Sequence, residues 1–239
     1  MAEVVDPYLD PDTGLLRNLV GARTQSALDA AEGALVFARA VQLVNHPVRP
    51  TGDLDEFRAI HRHLFQDVYD WAGKTRTVDI RKNVDGAEVF LPVSMIDRAT
   101  MFAAEELRRD NMLSGMNRDQ FIDRLSYHYD QWNYVHPWRE GNGRCQRVFW
   151  SRVASDAGWN LDWRPVQGAV NDAACRAAAE RREFAPLRVM FDQVVSPPDA
   201  TAEATALVDR LAVGTWPGTP TADAARSKRD VGPDYGRGR

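Results

Sequence analysis

The chain has 239 residues, 30 Lys+Arg against 34 Asp+Glu and a formal net charge of −4, with 44% hydrophobic and 27% charged residues. This is the composition of an ordinary globular chain, long enough for one domain or at most two. It lacks the basic excess that charge-driven binding to nucleic acid or an anionic membrane requires, so neither partner is expected. No stretch approaches the roughly 18 uncharged apolar residues of a membrane span. The first twenty residues, with Glu3, Asp6, Asp10 and Asp12, do not resemble a signal peptide, and a cytoplasmic location is the expectation. Cys145 and Cys175 are too far apart for a CxxC pair and too few for a disulfide framework.

Residues 1–23 read as an irregular lead-in that packs a few apolar side chains. Helices follow. Leu28, Ala31, Leu35 and Ala38 give helical spacing from about Ser26 to Val44, before the Asn45-His46-Pro47 breaker. Asp53 with Glu56 is a capping-box pattern ahead of Phe57, Ile60, Leu64 and Val68. The period then changes: Thr77, Val78, Asp79 and Ile80, turn chemistry at Asn83 to Gly86, then Glu88, Val89, Phe90 and Leu91 predict a short β-hairpin. Ser94-x-x-Asp97 predicts a helix start running to about Met112. Asn117-x-x-Gln120 opens another helix, whose stripe of Phe121, Leu125, His128, Trp132 and Val135 should face the core. Pro137 disfavours helical backbone at His136 and ends that helix; a new one is expected from Arg144 to about Ala157. Shorter helices are expected at 172–184 and 186–195. Beyond Ser196 the reading is a linker with one modest helix over 202–213 and a disordered tail over 214–239.

One segment carries chemistry: His136-Pro137-Trp138-Arg139-Glu140-Gly141-Asn142-Gly143-Arg144-Cys145-Gln146-Arg147. Taken singly, a helix-ending His, a Gly-Asn-Gly turn and two Arg at i, i+3 have ordinary explanations. Together they form an anion cradle: glycines let backbone N–H groups converge, a helix N-terminus adds partial positive charge, and Arg144 and Arg147 leave one side of the first turn. Several phosphate charges in one place call for Mg²⁺, and Glu140 beside the loop is a hard oxygen ligand for it. His136, four residues before the loop, suits a general base acting on a hydroxyl. The chemistry is phosphoryl-type transfer.

These residues resemble the Fic-domain signature His-Pro-Phe-x-Asp/Glu-Gly-Asn-Gly-Arg-x-x-Arg, with Trp138 at the Phe position as the departure. The run from Val68 to Arg76, Val-Tyr-Asp-Trp-Ala-Gly-Lys-Thr-Arg, and the hairpin after it resemble the family's lead into its flap; about residues 6–195 are covered, within which 24–195 would be the Fic domain proper. The resemblance implies an all-α fold with one β-hairpin and an AMP transferase that uses ATP to modify Tyr, Thr or Ser of target proteins. It implies His136 as the base, Glu140 on Mg²⁺, the main chain of Gly141, Asn142 and Gly143 around phosphate with the Asn142 side chain assisting, and Arg144 and Arg147 on the outer phosphates. Trp138 would be core. The hairpin residues Thr77, Val78, Asp79, Ile80, Val89, Phe90 and Leu91 would clamp the target as an added strand. An intact Gly143 favours AMP transfer over the related branch that transfers the γ-phosphate, where Lys replaces that glycine. The rival of another class is a non-catalytic nucleotide-binding interaction module.

Many members restrain themselves with Ser/Thr-x-x-x-Glu-Gly/Asn. The nearest stretch here, Leu28 to Gly33, lacks the hydroxyl residue, so it reads as an ordinary amphipathic helix, and a separate small antitoxin is expected to supply the inhibitory Glu. The family's small stand-alone toxins make type II topoisomerase subunits the first targets to expect. His61 and His63 lack metal-ligand spacing and read as structural or surface residues. Cys145, near a helix N-terminus, could carry a lowered pKa, but it occupies an unspecified position and is given no role.

Overall fold

A computed structural model describes residues 6–81, 89–166, 168–198, 209–211 and 226–227. The long elements are α1 (Gln25–Asn45), α2 (Leu54–Phe65), α3 (Ile96–Arg109), α4 (Arg118–Val135), α5 (Asn142–Asp156), α6 (Gly168–Arg181) and α7 (Ala185–Val194). Two-residue strands β1 (Ile80–Arg81), β2 (Asn160–Leu161), β3 (Val195–Ser196) and β4 (Arg226–Ser227) pair as β1 with β4 and β2 with β3, both antiparallel. The fold is all-α with a minor β component, as expected.

The core is aromatic. Trp132, Trp138, Trp150, Trp163, Phe57, Phe65, Phe121 and Phe149 are all inaccessible, and Phe57 stacks on Trp132 at 4.7 Å between centroids. Such rings combine large buried area with favourable offset and edge contacts. Each residue of the expected α4 stripe is buried. Around this core α1 packs on α2, α2 on α5, and α4 against α3, α5, α6 and α7, so α4 and α5 run through the centre.

Capping separates three helix starts that look alike in sequence. The Asn117–Gln120 box closes in both directions. Asp53 caps α2 through Asp55 and Glu56 N–H groups, while the Glu56 carboxylate accepts from Thr51 and Gly52 N–H at 2.9 and 2.7 Å. Ser94 makes no cap: the chain leaves Pro92 through a 3-10 turn over Val93–Met95 and α3 starts at Ile96. That helix ends at Arg109 rather than Met112, because Asn111, Met112 and Leu113 all take positive φ, from 52° to 65°. The helix expected at Arg144 begins two residues earlier, at Asn142.

The lead-in is irregular but anchored. Arg139 pairs with Asp6 at 3.1 Å, both buried, and Tyr8 meets Trp71 edge-on at 5.3 Å. The hairpin is visible on both sides of its tip, through the Arg81–Val89 bridge and the Phe90 N–H to Ile80 carbonyl bond at 3.0 Å. Its turn at 83–86 lies outside the described residues. So does the expected disordered tail, apart from Arg226–Ser227, which is a strand on β1, and so does the 202–213 helix apart from residues 209–211, which are helical.

Candidate active site

The site grows from the junction of α4 and α5. Pro137 stops α4, and the decisive backbone feature is the residue before it: His136 stands in the left-handed region at φ 46°, ψ 63° and caps α4 with its N–H on the Trp132 carbonyl. This conformation is uncommon for a residue with a Cβ, and such positions concentrate at functional sites. The imidazole Nδ1 lies 3.2 Å from the Asn133 carbonyl oxygen. A carbonyl only accepts, so Nδ1 carries the hydrogen and the lone pair of the neutral ring is on Nε2, the form a general base needs. Phe90 from the hairpin stacks on the ring, with centroids 3.7 Å apart and planes at 13°.

The loop that follows is braced from within. The Asn142 Oδ1 accepts from the Trp138 N–H at 3.0 Å while its Nδ2 donates to the Trp138 carbonyl at 2.8 Å. The Asn142 side chain therefore closes the loop on itself. Both of its polar ends are engaged by the Trp138 backbone.

Gly141 has φ +84°, and a Cβ there would come within 2.4 Å of the Phe65 ring; only glycine fits. At Gly143 a Cβ would meet nothing within 4 Å. Gly143 and His136 line a common cavity of about 100 Å³, with Phe90, Tyr134, Asn171 and Asp172 on its walls. The glycine thus leaves room for a ligand at the first turn of α5, where N–H groups favour anions.

Behind the loop lies a charge cluster. Arg144 Nη1 contacts Glu32 Oε1 at 2.5 Å, its Nη2 donates to Glu140 Oε1 at 3.0 Å, and its Cζ sits 4.7 Å over the Phe65 ring. Glu32 also accepts from the Tyr69 hydroxyl. Glu140 Oε1 accepts from the Gly141 N–H at 2.8 Å as well. Burial opposes the charge on Arg144, but Glu32 and Glu140 outweigh it and hold its pKa above the ordinary value. Burial and the neighbouring Glu32 push the Tyr69 hydroxyl up. Arg144 therefore points toward α1 and α2 and secures Glu140. Arg147 is buried on the same helix.

Sequence reasoning gave no site role to two members of this cluster, missing Glu32 and reading His61 as structural or surface. Glu32, read as part of an ordinary amphipathic helix, is 2% exposed and belongs to the site; a Glu on the apolar face of α1 was the available signal. His61 is fully buried, sandwiched between Phe65 at 4.8 Å and Trp138 at 4.6 Å. Its Nδ1 accepts the Gly73 N–H at 2.7 Å, which leaves the proton on Nε2, 3.1 Å from the Glu140 carbonyl. Burial drives its pKa down to about 3, so it is a neutral strut under the Glu140 backbone. Trp138 is core, as expected.

Cys145 runs against the lowered pKa considered for it: burial pushes the thiol up, and the nearby Arg144 and Arg147 do not offset that. The hairpin side chains also depart from a purely outward, target-facing reading. Ile80 is inaccessible, the Thr77 N–H donates to the Tyr8 hydroxyl at 3.0 Å, Asp79 accepts the Val93 N–H at 2.8 Å, and Phe90 covers His136. Val78 and Leu91 offer their carbonyls to Arg76, and Val89 bridges Arg81.

A left-handed histidine and the first turn of α5 face one cavity in a helical domain, with a glycine-dependent loop between them. Comparison with known proteins is specific. The Fic/DOC family profile matches residues 51–154. The chain is 32% identical to probable protein adenylyltransferase Fic of Escherichia coli over 80% of its own length and 92% of that protein. It is 39% identical to protein adenylyltransferase VbhT of Bartonella schoenbuchensis over 68% of its length, which spans 33% of VbhT. Among solved structures, BepC of Bartonella tribocorum with bound AMPPNP aligns with a TM-score of 0.75 at 22% identity, covering 80% of this chain and 97% of that one. A Bartonella quintana Fic domain with bound ADP aligns with a TM-score of 0.76 at 23% identity, covering 81% and 96%. The chain belongs to the Fic/DOC family.

Proposed function

We propose that this chain is a protein adenylyltransferase that moves AMP from ATP to a Tyr, Thr or Ser hydroxyl of a target protein. The observation that carries the reading is the contact of His136 Nδ1 with the Asn133 carbonyl at 3.2 Å, in the cavity that His136 shares with Gly143: a neutral ring held this way has its basic nitrogen at Nε2. In this reading Nε2 takes the hydroxyl proton as the target oxygen bonds the α-phosphorus, and pyrophosphate leaves. The α5 N-terminus and the main chain of Gly141 to Gly143 receive phosphate, and Arg147 supplies positive charge toward the outer phosphates; Arg144, which the motif also assigned there, is held by Glu32 and Glu140 and acts through Glu140 instead. The relatives named above, called protein adenylyltransferases, support the same activity.

Mg²⁺ fits the donor chemistry. Glu140 is a buried hard-oxygen carboxylate beside the cradle, and Mg²⁺ is commonly held by one or two carboxylates with substrate phosphates and water completing the shell. Bound there by Glu140, the ion would neutralise phosphate charge. Arg144 and His61 keep Glu140 in place by its carboxylate and its carbonyl respectively.

The hairpin would receive the target by backbone pairing along its edge, since several of its side chains are turned inward. Glu32 is engaged by Arg144 and Tyr69, which supports a restraint that comes from a separate small antitoxin, with its own Glu acting at Arg147. In that scheme the chain alone is a toxin, with type II topoisomerase subunits as first targets and the cytoplasm as its site of action; a sharp activation by Glu32→Gly would contradict it. ATP labelled on the α-phosphate, incubated with Mg²⁺, this chain and purified topoisomerase subunits, should label protein, and His136→Ala should abolish the label. Label from the γ-phosphate instead would place the chain in the phosphate-transferring branch, and label from neither would favour a binding module.

A further inference from the structure

Arg76 lies outside the signature, yet it is 1% exposed and its donors converge on the end of α4. Its Nε donates to the His136 carbonyl at 2.8 Å and its Nη2 to the Val135 carbonyl at 3.3 Å. Its Nη1 donates to the Val78 carbonyl at 2.9 Å, and Nη2 also to the Leu91 carbonyl. Its own backbone N–H donates to the Pro137 carbonyl at 2.9 Å. The Asp79 carboxylate stands 3.9 Å from Nη1.

The geometry follows from helix physics. The last carbonyls of a helix have no intrahelical donor, and they collect partial negative charge. Here Pro137 cannot donate, and the turn at His136 aims its carbonyl and that of Val135 inward, where unpaired oxygens would be costly. The planar guanidinium satisfies them, and with its remaining donors it holds both sides of the hairpin, one through Val78 and the other through Leu91. The Leu91 N–H donates in turn to the Tyr134 carbonyl at 3.2 Å. Phe90 is the next residue back, and its ring is the one stacked on His136.

We propose that Arg76 is the positioning residue of the transfer site: it locks the left-handed backbone of His136 and, through Leu91, sets Phe90 as a lid on the imidazole, coupling the hairpin to the general base. Burial lowers the Arg76 pKa to about 10, which still leaves the side chain charged at neutral pH. Lysine could replace the charge but not the fork, since a single ammonium cannot span carbonyls on three segments. This proposal rests on His136 acting as the base, so its test reads geometry separately from turnover.

The test compares wild type, Arg76→Lys, Arg76→Ala and Phe90→Ala. Thermal melting sets the folded fraction, a fluorescent ATP analogue gives nucleotide Kd, initial rates give kcat and KM for ATP, and NMR of ¹⁵N/¹³C-histidine-labelled protein follows the His136 ring. In wild type the ring-current shift from Phe90 marks His136. In Arg76→Ala and Arg76→Lys that shift should collapse, as it does in Phe90→Ala, with ATP Kd within about threefold of wild type. The kcat should fall about 30-fold or more in Arg76→Ala at a temperature where it is folded, with Arg76→Lys recovering only part, the scale of mispositioning a catalytic group. An unchanged His136 signal in folded Arg76→Lys would overturn the proposal, as would a rate loss accounted for by folded fraction or by Kd. If wild type transfers nothing, the ring signals still decide whether Arg76 sets His136, and only the transferase reading fails.

Discussion

The two ends of α5 repeat one arrangement with different outcomes. Near its start, Arg144 reaches back to Glu32 of α1 and to Glu140 four residues before it, over the Phe65 ring. Near its end, Arg152 reaches back to Glu56 of α2 at 2.6 and 2.8 Å and to Asp156 four residues after it, over the Phe149 ring. The chemistry differs because of what each carboxylate also holds. Glu56 secures the Thr51 and Gly52 amides at the entry to α2, whereas Glu140 belongs to the glycine loop beside His136. An Arg paired with a buried Glu is therefore scaffold or site according to the backbone it organises.

The largest expected effects test that parallel directly. Each Arg keeps its second carboxylate, but Glu32→Ala leaves the Tyr69 hydroxyl without its acceptor and Glu56→Ala leaves the Thr51 and Gly52 amides without theirs, so each should destabilise by about 2–4 kcal/mol in urea melts. At a temperature where both variants are folded, Glu56→Ala should transfer AMP at near the wild-type rate and Glu32→Ala should be at least about tenfold slower. Equal rates would dissolve the distinction between the two ends.

The loop glycines sharpen it further. Gly141→Ala meets Phe65 and a left-handed backbone at once, and should cost about 2–4 kcal/mol. Gly143→Ala, in a helical turn with open space, should melt within about 2 °C of wild type and weaken ATP binding about tenfold or more by standing where phosphate approaches. Calorimetry and nucleotide titration read both.

Trp138→Phe restores the residue the resemblance expects. It trims a fully buried ring stacked on His61, so a loss of about 1–2 kcal/mol is expected with the transfer rate nearly kept, because the Asn142 brace uses the Trp138 backbone.

The smallest effect concerns a buried carboxylate without such a complete partner. Asp130 is 3% exposed, its Oδ1 has no hydrogen-bond partner, and Arg182 reaches Oδ2 only at 3.3 Å. Burial lifts its pKa to about 6 from 3.8. The folded protein then holds the proton more tightly, so this group's contribution to stability is full below pH 3.8 and is lost as pH rises through about 6. Asp130→Asn should raise Tm by about 2–4 °C at pH 7.5 and change it little at pH 4, in contrast to the losses at Glu32 and Glu56.

The parts of the molecule legible in sequence are those written in short runs. The α4 stripe, the Asn117–Gln120 cap and the break at Pro137 follow from local periodicity and turn chemistry, and the residues around His136, Gly141 and Gly143 are a contiguous motif. Local pattern also misleads where it stands alone: Ser94 and Asp97 have capping spacing, but Pro92 starts a 3-10 turn that leaves Ser94 inside it. What holds the site together is long-range. Arg76 meets His136 across 60 positions, His61 meets Glu140 across 79, and Arg139 meets Asp6 across 133. No periodicity encodes such pairs, and a buried Arg, His or Glu looks in sequence like any surface residue until the core closes around it.

The most direct measurement of the central claim is intact-protein mass spectrometry of this chain with Mg²⁺, ATP and topoisomerase subunits, run beside His136→Ala. The account predicts one AMP added to the target or to the chain itself with wild type, and no addition with the variant. An adduct of the same size and extent with His136→Ala, or addition of phosphate in place of AMP, would contradict it.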